Sequence, residues 1–195
     1  LGYDALAKIT KGGDNVAIGS GALTAETVGD RAIAVGTNAL FSQVSDSDNE
    51  DSLNVGVGHG AGYYNVTGQN NTYIGGFAGT GASGQSNSNN TAVGMNAMVA
   101  VTTGSENTVV GREAGAAITS GQYNTIIGFQ AGDALTSMTH NTVIGTDALS
   151  TSSLVDQCVV IGSQAAANGA VTAAADGTVA IGYAALTAIS SGEHN

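Results

Sequence analysis

The stretch Gly121-Gln122-Tyr123-Asn124-Thr125-Ile126-Ile127-Gly128-Phe129-Gln130-Ala131-Gly132 decides how this chain is read. Its centre is a short β-rich run whose side chains alternate between two faces. Thr125 and Ile127 lie on one side, Asn124 and Ile126 on the other, and glycines bound the run. The same Asn-Thr-x-Ile-Gly-x-x-Ala pattern recurs from end to end. It begins at Asn15, Asn54, Asn71, Asn90, Asn107, Asn124 and Asn141 and reaches its glycine at Gly19, Gly58, Gly75, Gly94, Gly111, Gly128 and Gly145. Variant copies start at Ala32, Cys158 and Thr178.

Counting variants, the motif glycines stand at 2, 19, 36, 58, 75, 94, 111, 128, 145, 162 and 182. Their spacings are 17, 17, 22, 17, 19, 17, 17, 17, 17 and 20, so the period is 17 with insertions of five, two and three residues. An alanine follows every one of them at the third position, from Ala5 through Ala22 to Ala185. The chain opens inside one copy and stops where another should begin, which reads as an excerpt of a longer fibre chain. Residues 1–195 are then a single array of about ten coils, with insertions near 41–53, 80–89 and 167–177.

Helical repeats need about 33 residues or more, so a period of 17 excludes those families. A weaker apolar run precedes the motif in several copies, as Val101-Thr102-Thr103 before Gly104 or Ile118-Thr119-Ser120 before Gly121. Two short strands and two glycine-marked turns describe one coil of a parallel β-solenoid or β-roll. Coils stacked at about 4.8 Å would make the ten intervals a rod of roughly 50 Å. The motif asparagines would then form a ladder that satisfies amides and backbone at a turn.

Both faces of the motif strand are apolar. One carries Thr or Val with Ile or Val, as in Thr142 and Ile144, and is expected to form the coil interior. The other carries Ala17, Ala34, Gly56, Tyr73, Ala92, Val109, Ile126, Val143, Val160 and Ala180, without a charge. A lone solenoid buries one face and leaves the second as an exposed stripe, which marks a partner surface. The expectation is an all-β solenoid of about 17-residue coils, packed lengthwise as an elongated homotrimer.

Composition narrows the function classes. The 195 residues include 30 Gly, no Pro and no Trp, and only 10 % are charged, against roughly 25 % in ordinary domains. A hydrophobic fraction of 42 % excludes a disordered acidic tail, and the missing proline excludes a collagen-like stalk. No apolar run approaches the 18 or so residues of a membrane span. Four basic residues (Lys8, Lys11, Arg31, Arg112) face 15 acidic ones for a net charge of -11, so the basic footprint of a nucleic-acid binder is missing. The lone Cys158 cannot form an internal disulfide.

These repeats resemble those of bacteriophage tail-fibre proteins. Asn15-Val16-Ala17-Ile18-Gly19 and Thr178-Val179-Ala180-Ile181-Gly182 are also similar to the Asn-x-x-Ala-Ile-Gly unit of trimeric autotransporter adhesin heads. The resemblance covers essentially the whole chain. It implies a homotrimeric fibrous β-solenoid that projects from a virion or from an extracellular cell surface and meets a host glycan or protein receptor. The 17-residue period exceeds the usual adhesin head unit and favours the phage-type fibre.

Candidate sites are few. Asp46, Asp48, Glu50 and Asp51 cluster on the first insertion and could present oxygen ligands to Ca²⁺, although the EF-hand glycine and terminal glutamate are missing. A solvated loop is the plainer reading. Gly79-Thr80-Gly81-Ala82-Ser83-Gly84 has the glycine pattern of a dinucleotide loop without the strand, helix and acidic partner that give it meaning. His59, His140 and His194 sit in turns, and neither a catalytic triad nor a zinc pattern accompanies them. No cofactor is called for, and no residue is assigned a catalytic role. Tyr3, Phe129 and Tyr183 directly follow motif glycines, and Tyr63-Tyr64 follow Gly62; such turn aromatics are candidate glycan contacts because a flat ring can stack on a sugar.

The expected function is therefore a structural and adhesive fibre segment that helps attach a phage to its host. The alternatives are a bacterial adhesin head, a polysaccharide-cleaving spike and an ice-binding solenoid. The spike needs two carboxylates converging across a groove. The ice-binding reading draws on Thr72, Thr91, Thr108, Thr125 and Thr142, and is opposed by their expected place inside the coil and by their absence from the other coils.

Overall fold

The computed structural model describes residues 2–48, 50–151, 155–167 and 176–187. It is an all-β parallel solenoid with one three-residue strand per coil: β1 (Val16–Ile18), β2 (Ile33–Val35), β3 (Val55–Val57), β4 (Thr72–Ile74), β5 (Thr91–Val93), β6 (Thr108–Val110), β7 (Thr125–Ile127), β8 (Thr142–Ile144), β9 (Val159–Ile161) and β10 (Val179–Ile181). These form one parallel sheet in sequence order. Nine steps of about 4.8 Å make the sheet about 43 Å long. The weaker apolar runs before each motif are turns and bends and form no second strand. Val101 and Ile118 nonetheless point into the core.

The insertions leave the register untouched. Ile33 pairs with Val55 across the five-residue insertion, Thr72 with Thr91 across the two-residue one, and Val159 with Val179 across the third. The extra residues bulge from the turns, and bridges from Asp30 to Asp51 and from Asn65 to Gln85 tie them back.

The strand faces are reversed from the sequence expectation. The middle residues Ala34, Tyr73, Ala92, Val109, Ile126, Val143, Val160 and Ala180 are buried, whereas the Thr, Val and Ile on either side are half-buried or exposed. The reason is the asparagine that stands two residues before the middle position in the coils from Asn54 to Asn141. It shares that face and belongs inside, because stacked copies satisfy one another.

From Asn54 through Asn71, Asn90, Asn107 and Asn124 to Asn141, each Oδ1 accepts the next asparagine's backbone N–H at 2.9–3.1 Å and its Nδ2 at 3.0–3.3 Å. The same Nδ2 groups donate to turn carbonyls, as Asn124 does to Met138 at 2.8 Å. Asn15 stands apart from this run, because Ala32 offers its Oδ1 only a backbone N–H. At the far end Cys158 donates its N–H to Asn141 and the amide ladder stops.

The motif glycines have a double constraint. From Gly19 to Gly182 their φ angles are 127–141°, a conformation L side chains rarely adopt. A Cβ on any from Gly19 to Gly162 would also lie 2.3–2.6 Å from the carbonyl oxygen of the glycine in the next coil. From Ala22 to Ala165 the turn after the motif glycine buries its alanine; the fourth position is glycine at Gly62, Gly79, Gly115 and Gly132 and carries a side chain in the other coils. Leu23, Leu40, Met98 and Leu149 adopt φ of 48–51° there. That backbone costs a non-glycine residue about 1 kcal/mol, and burying the side chain offsets it with about 2.

Candidate functional site

Two outer surfaces have chemistry of their own. The first is the outward sheet face. Its two columns hold Val16, Ile33, Val55, Thr72, Thr91, Thr108, Thr125, Thr142, Val159 and Val179 beside Ile18, Val35, Val57, Ile74, Val93, Val110, Ile127, Ile144, Ile161 and Ile181. None of these side chains is charged. Ile18 is 50 % exposed and Ile181 66 %.

The second surface lies on the turns after β2, β3 and β4. Phe41, Tyr63 and Thr80 each stand five residues past a motif glycine, so the period stacks them in one column. The Phe41 and Tyr63 rings lie nearly parallel at 4.9 Å and 13°. Tyr64 meets Tyr63 edge-on at 4.5 Å and 69°. His59 meets Phe77 edge-on at 4.9 Å and 87°. Tyr63, Tyr64, Phe77 and Thr80 together line a recess of about 170 Å³.

Phe77 is unusual for its place. Two residues past the motif glycine the backbone is left-handed, and other coils put Gly there (Gly21, Gly60), polar residues such as Asn38, Asn96 and Glu113, or Ala184. Short polar side chains tolerate that region, whereas a bulky aromatic is strained in it. Phe77 takes φ 60° and remains 43 % exposed. Gly60 beneath it leaves the ring its space, since a Cβ there would lie 3.0 Å from the ring.

Of the sequence candidates, Tyr63 and Tyr64 come together, and their partners Phe41, His59, Phe77 and Thr80 were missed. The signal was the count from each motif glycine, which aligns Phe41 with Tyr63 despite the insertion between them. Tyr3, Phe129 and Tyr183 lie on separate coils and do not converge. Tyr3 and Tyr183 are exposed, and the Phe129 ring is already capped by the Arg112 guanidinium at 5.3 Å.

The acidic insertion is tied to other chain segments. Asp48 pairs with Lys11, Asp51 with Arg31, and Glu50 accepts the backbone N–H groups of Asp46 and Ser47 as well as Gln69. Among the described residues no group of three or more His, Cys, Asp or Glu is gathered as a metal would require. The glycine pattern of 79–84 has a packing reason at its first member: a Cβ on Gly79 would fall 2.2 Å from the Tyr73 ring. His140 stacks on Tyr123, while His194 and most of the 167–177 insertion lie outside the described residues. Burial raises the Cys158 thiol pKa, the opposite of the lowering that activates a nucleophilic cysteine.

Glu26 is a buried carboxylate the repeat reading passed over. Its Oε1 accepts the N–H groups of Thr27, Val28, Gly29 and Ser45 at 2.8–3.2 Å, and its Oε2 accepts the Ser45 hydroxyl. Gln43 and Asn65 occupy the same position of the next two coils, so this corner of the interior is polar in that half of the rod. Val101, Ile118 and Leu135 make it apolar further on. No described helix is long and apolar enough to cross a membrane.

The chain matches no family model, no curated protein and no solved structure.

Proposed function

We propose that this chain is a structural and adhesive fibre segment of the phage tail-fibre type, carried on a virion, that helps attach it to a host cell surface. Three copies lie side by side with their sheet faces turned inward. The observation that carries this reading is the uncharged face of Thr, Val and Ile running the length of the rod. Such a strip in water favours association of identical rods about a common axis, and the resemblance to tail-fibre repeats makes that axis threefold. The turn surfaces then remain outside, where three copies of each weak contact act together on a receptor. Light scattering on the purified chain tests this. A particle of three times the 19.0 kDa chain mass supports it, and a clean monomer rejects it. Retention of the trimer on host cells tests the adhesive half.

A second reading is favoured by one observation. Thr72, Thr91, Thr108, Thr125 and Thr142 face outward in register, which meets one of the two objections to an ice-binding solenoid; the column still changes to Val or Ile in the other coils. A monomer with measurable thermal hysteresis at micromolar protein selects that reading instead.

A further inference from the structure

The recess beside Tyr63 and Tyr64 differs from a flat sugar-stacking platform. Tyr63 and Tyr64 meet at 69°, and Phe77 adds a further wall, so the rings border a concave recess that is open to solvent on one side. The lining is poor in hydrogen-bonding capacity. The Thr80 hydroxyl already donates to the Phe77 carbonyl at 2.8 Å, with the Gly60 carbonyl at 3.2 Å. That leaves the two tyrosine hydroxyls. A sugar brings hydroxyls on every edge, and those left unpaired in an apolar recess oppose binding. The geometry points to a site for a quaternary ammonium group of the choline type, walled by Tyr63, Tyr64 and Phe77.

Three observations converge on that ligand. A trimethylammonium group has no donors to satisfy, and its spread positive charge is attracted to aromatic faces. The chain carries a net charge of -11, so a cation approaches a favourable field. The acidic insertion leaves the same coil only four residues after Phe41, beginning at Ser45 and Asp46, and Asp46 is exposed. Lys11 and Arg31 offset Asp48 and Asp51 of that insertion, which leaves Asp46, among the described residues, as its exposed acid without a cation paired to it, while Arg112 is held on Phe129 and Glu113. Phe77 supplies the third. The fold places Gly, Ala, Asn, Asp, Gln or Glu at its position in other coils and an aromatic only here, and beyond its edge contact with His59 the ring stays exposed on a strained backbone.

The inference names the receptor chemistry of the proposed adhesive fibre and rests on that reading only for where the ligand resides. Oligomeric mass is measured separately, so failure of one is distinguishable from failure of the other. The experiment is calorimetric titration of the full chain with choline chloride, with 3,3-dimethyl-1-butanol as its uncharged isostere, and with a methyl glucoside. Choline should bind about tenfold more tightly than the isostere. Phe77→Asn, which suits the left-handed backbone, should lower choline affinity about tenfold with the circular dichroism unchanged. Tyr64→Ala should act in the same direction, and Met95→Ala on a neighbouring coil should leave binding as it was. Equal affinity for choline and the isostere overturns the proposal, as does preference for the glucoside, no heat with choline, or an unaffected Phe77→Asn variant.

Discussion

The Tyr73 hydroxyl donates to Oδ1 of Asn87 inside the rod, where the tyrosine has no exposed surface. The ring fits because neighbouring positions are empty. Gly56 precedes it in the inner column, and Gly62 and Gly79 flank it; a Cβ on either flanking glycine would lie 2.2–2.7 Å from its carbons. Tyr73→Phe keeps the packing and removes the hydroxyl, leaving Asn87 Oδ1 with the Asn90 amide at 3.2 Å. The expected loss is about 1 kcal/mol in denaturant unfolding. Gly79→Ala should cost several times more, because the ring is enclosed and cannot move aside.

Tyr73 also sets a pH limit. Burial raises its pKa well above the ordinary value near 10, and the hydrogen bond to Asn90 opposes that only in part. A raised folded-state pKa means that its contribution is fully present below about pH 10 and is lost as pH climbs toward the folded value. Unfolding measured from pH 8 to 12 should show stability falling above about pH 10, with Tyr73→Phe falling less.

The asparagine ladder is directional and each rung serves two neighbours. Asn124→Ala would strip the partner from the buried N–H of Asn141 and one acceptor from its Nδ2. It would also take the side-chain donor from Oδ1 of Asn107 and the amide from the Met138 carbonyl. Each buried group left unpaired costs about 1–3 kcal/mol, so chemical denaturation should register a loss of at least about 3 kcal/mol. A loss under about 1 kcal/mol would mean that water replaces the rung.

Gly111→Ala combines φ 141° with a Cβ 2.3 Å from the Gly128 carbonyl oxygen. Backbone meets backbone, so neither side can yield cheaply. The variant should lose its cooperative melt or split the rod at that coil, read by limited proteolysis.

Ile127→Lys places a charge on the outward face without touching the core. The folded coil should keep its circular dichroism, and the mass by light scattering should fall from trimer to monomer. A full trimer in that variant would move the interface to another side of the rod.

The repeat unit, its period and the glycine and asparagine positions were legible because each recurs many times and each has one physical cause. The orientation of the strand was not. With three residues per strand and both faces apolar, as at Thr125-Ile126-Ile127, alternation cannot choose an inside. The choice came from Asn124, a polar residue that belongs in the interior only because Asn107 and Asn141 lie above and below it. The aromatic recess was half legible. Tyr63-Tyr64 stood out as a pair, but Phe41 and Phe77 join them only through a register that absorbs the insertion at 41–53. Glu26 was invisible, since its four backbone donors come from the turn it closes and from the coil beyond.

Every strand bond in this rod runs between successive coils, as from Thr125 N–H to the Asn141 carbonyl and from Gly128 N–H to Val110, so the bonds lie along its length. A pull on the two ends therefore loads them in tension and in series, one coil after another. Each coil that yields exchanges a rise of about 4.8 Å for 17 residues of extended chain, roughly 55 Å. The rod is stiff to bending while whole, and under load it would lengthen in steps set by the repeat, longer at the three coils that carry insertions, as a shock absorber would.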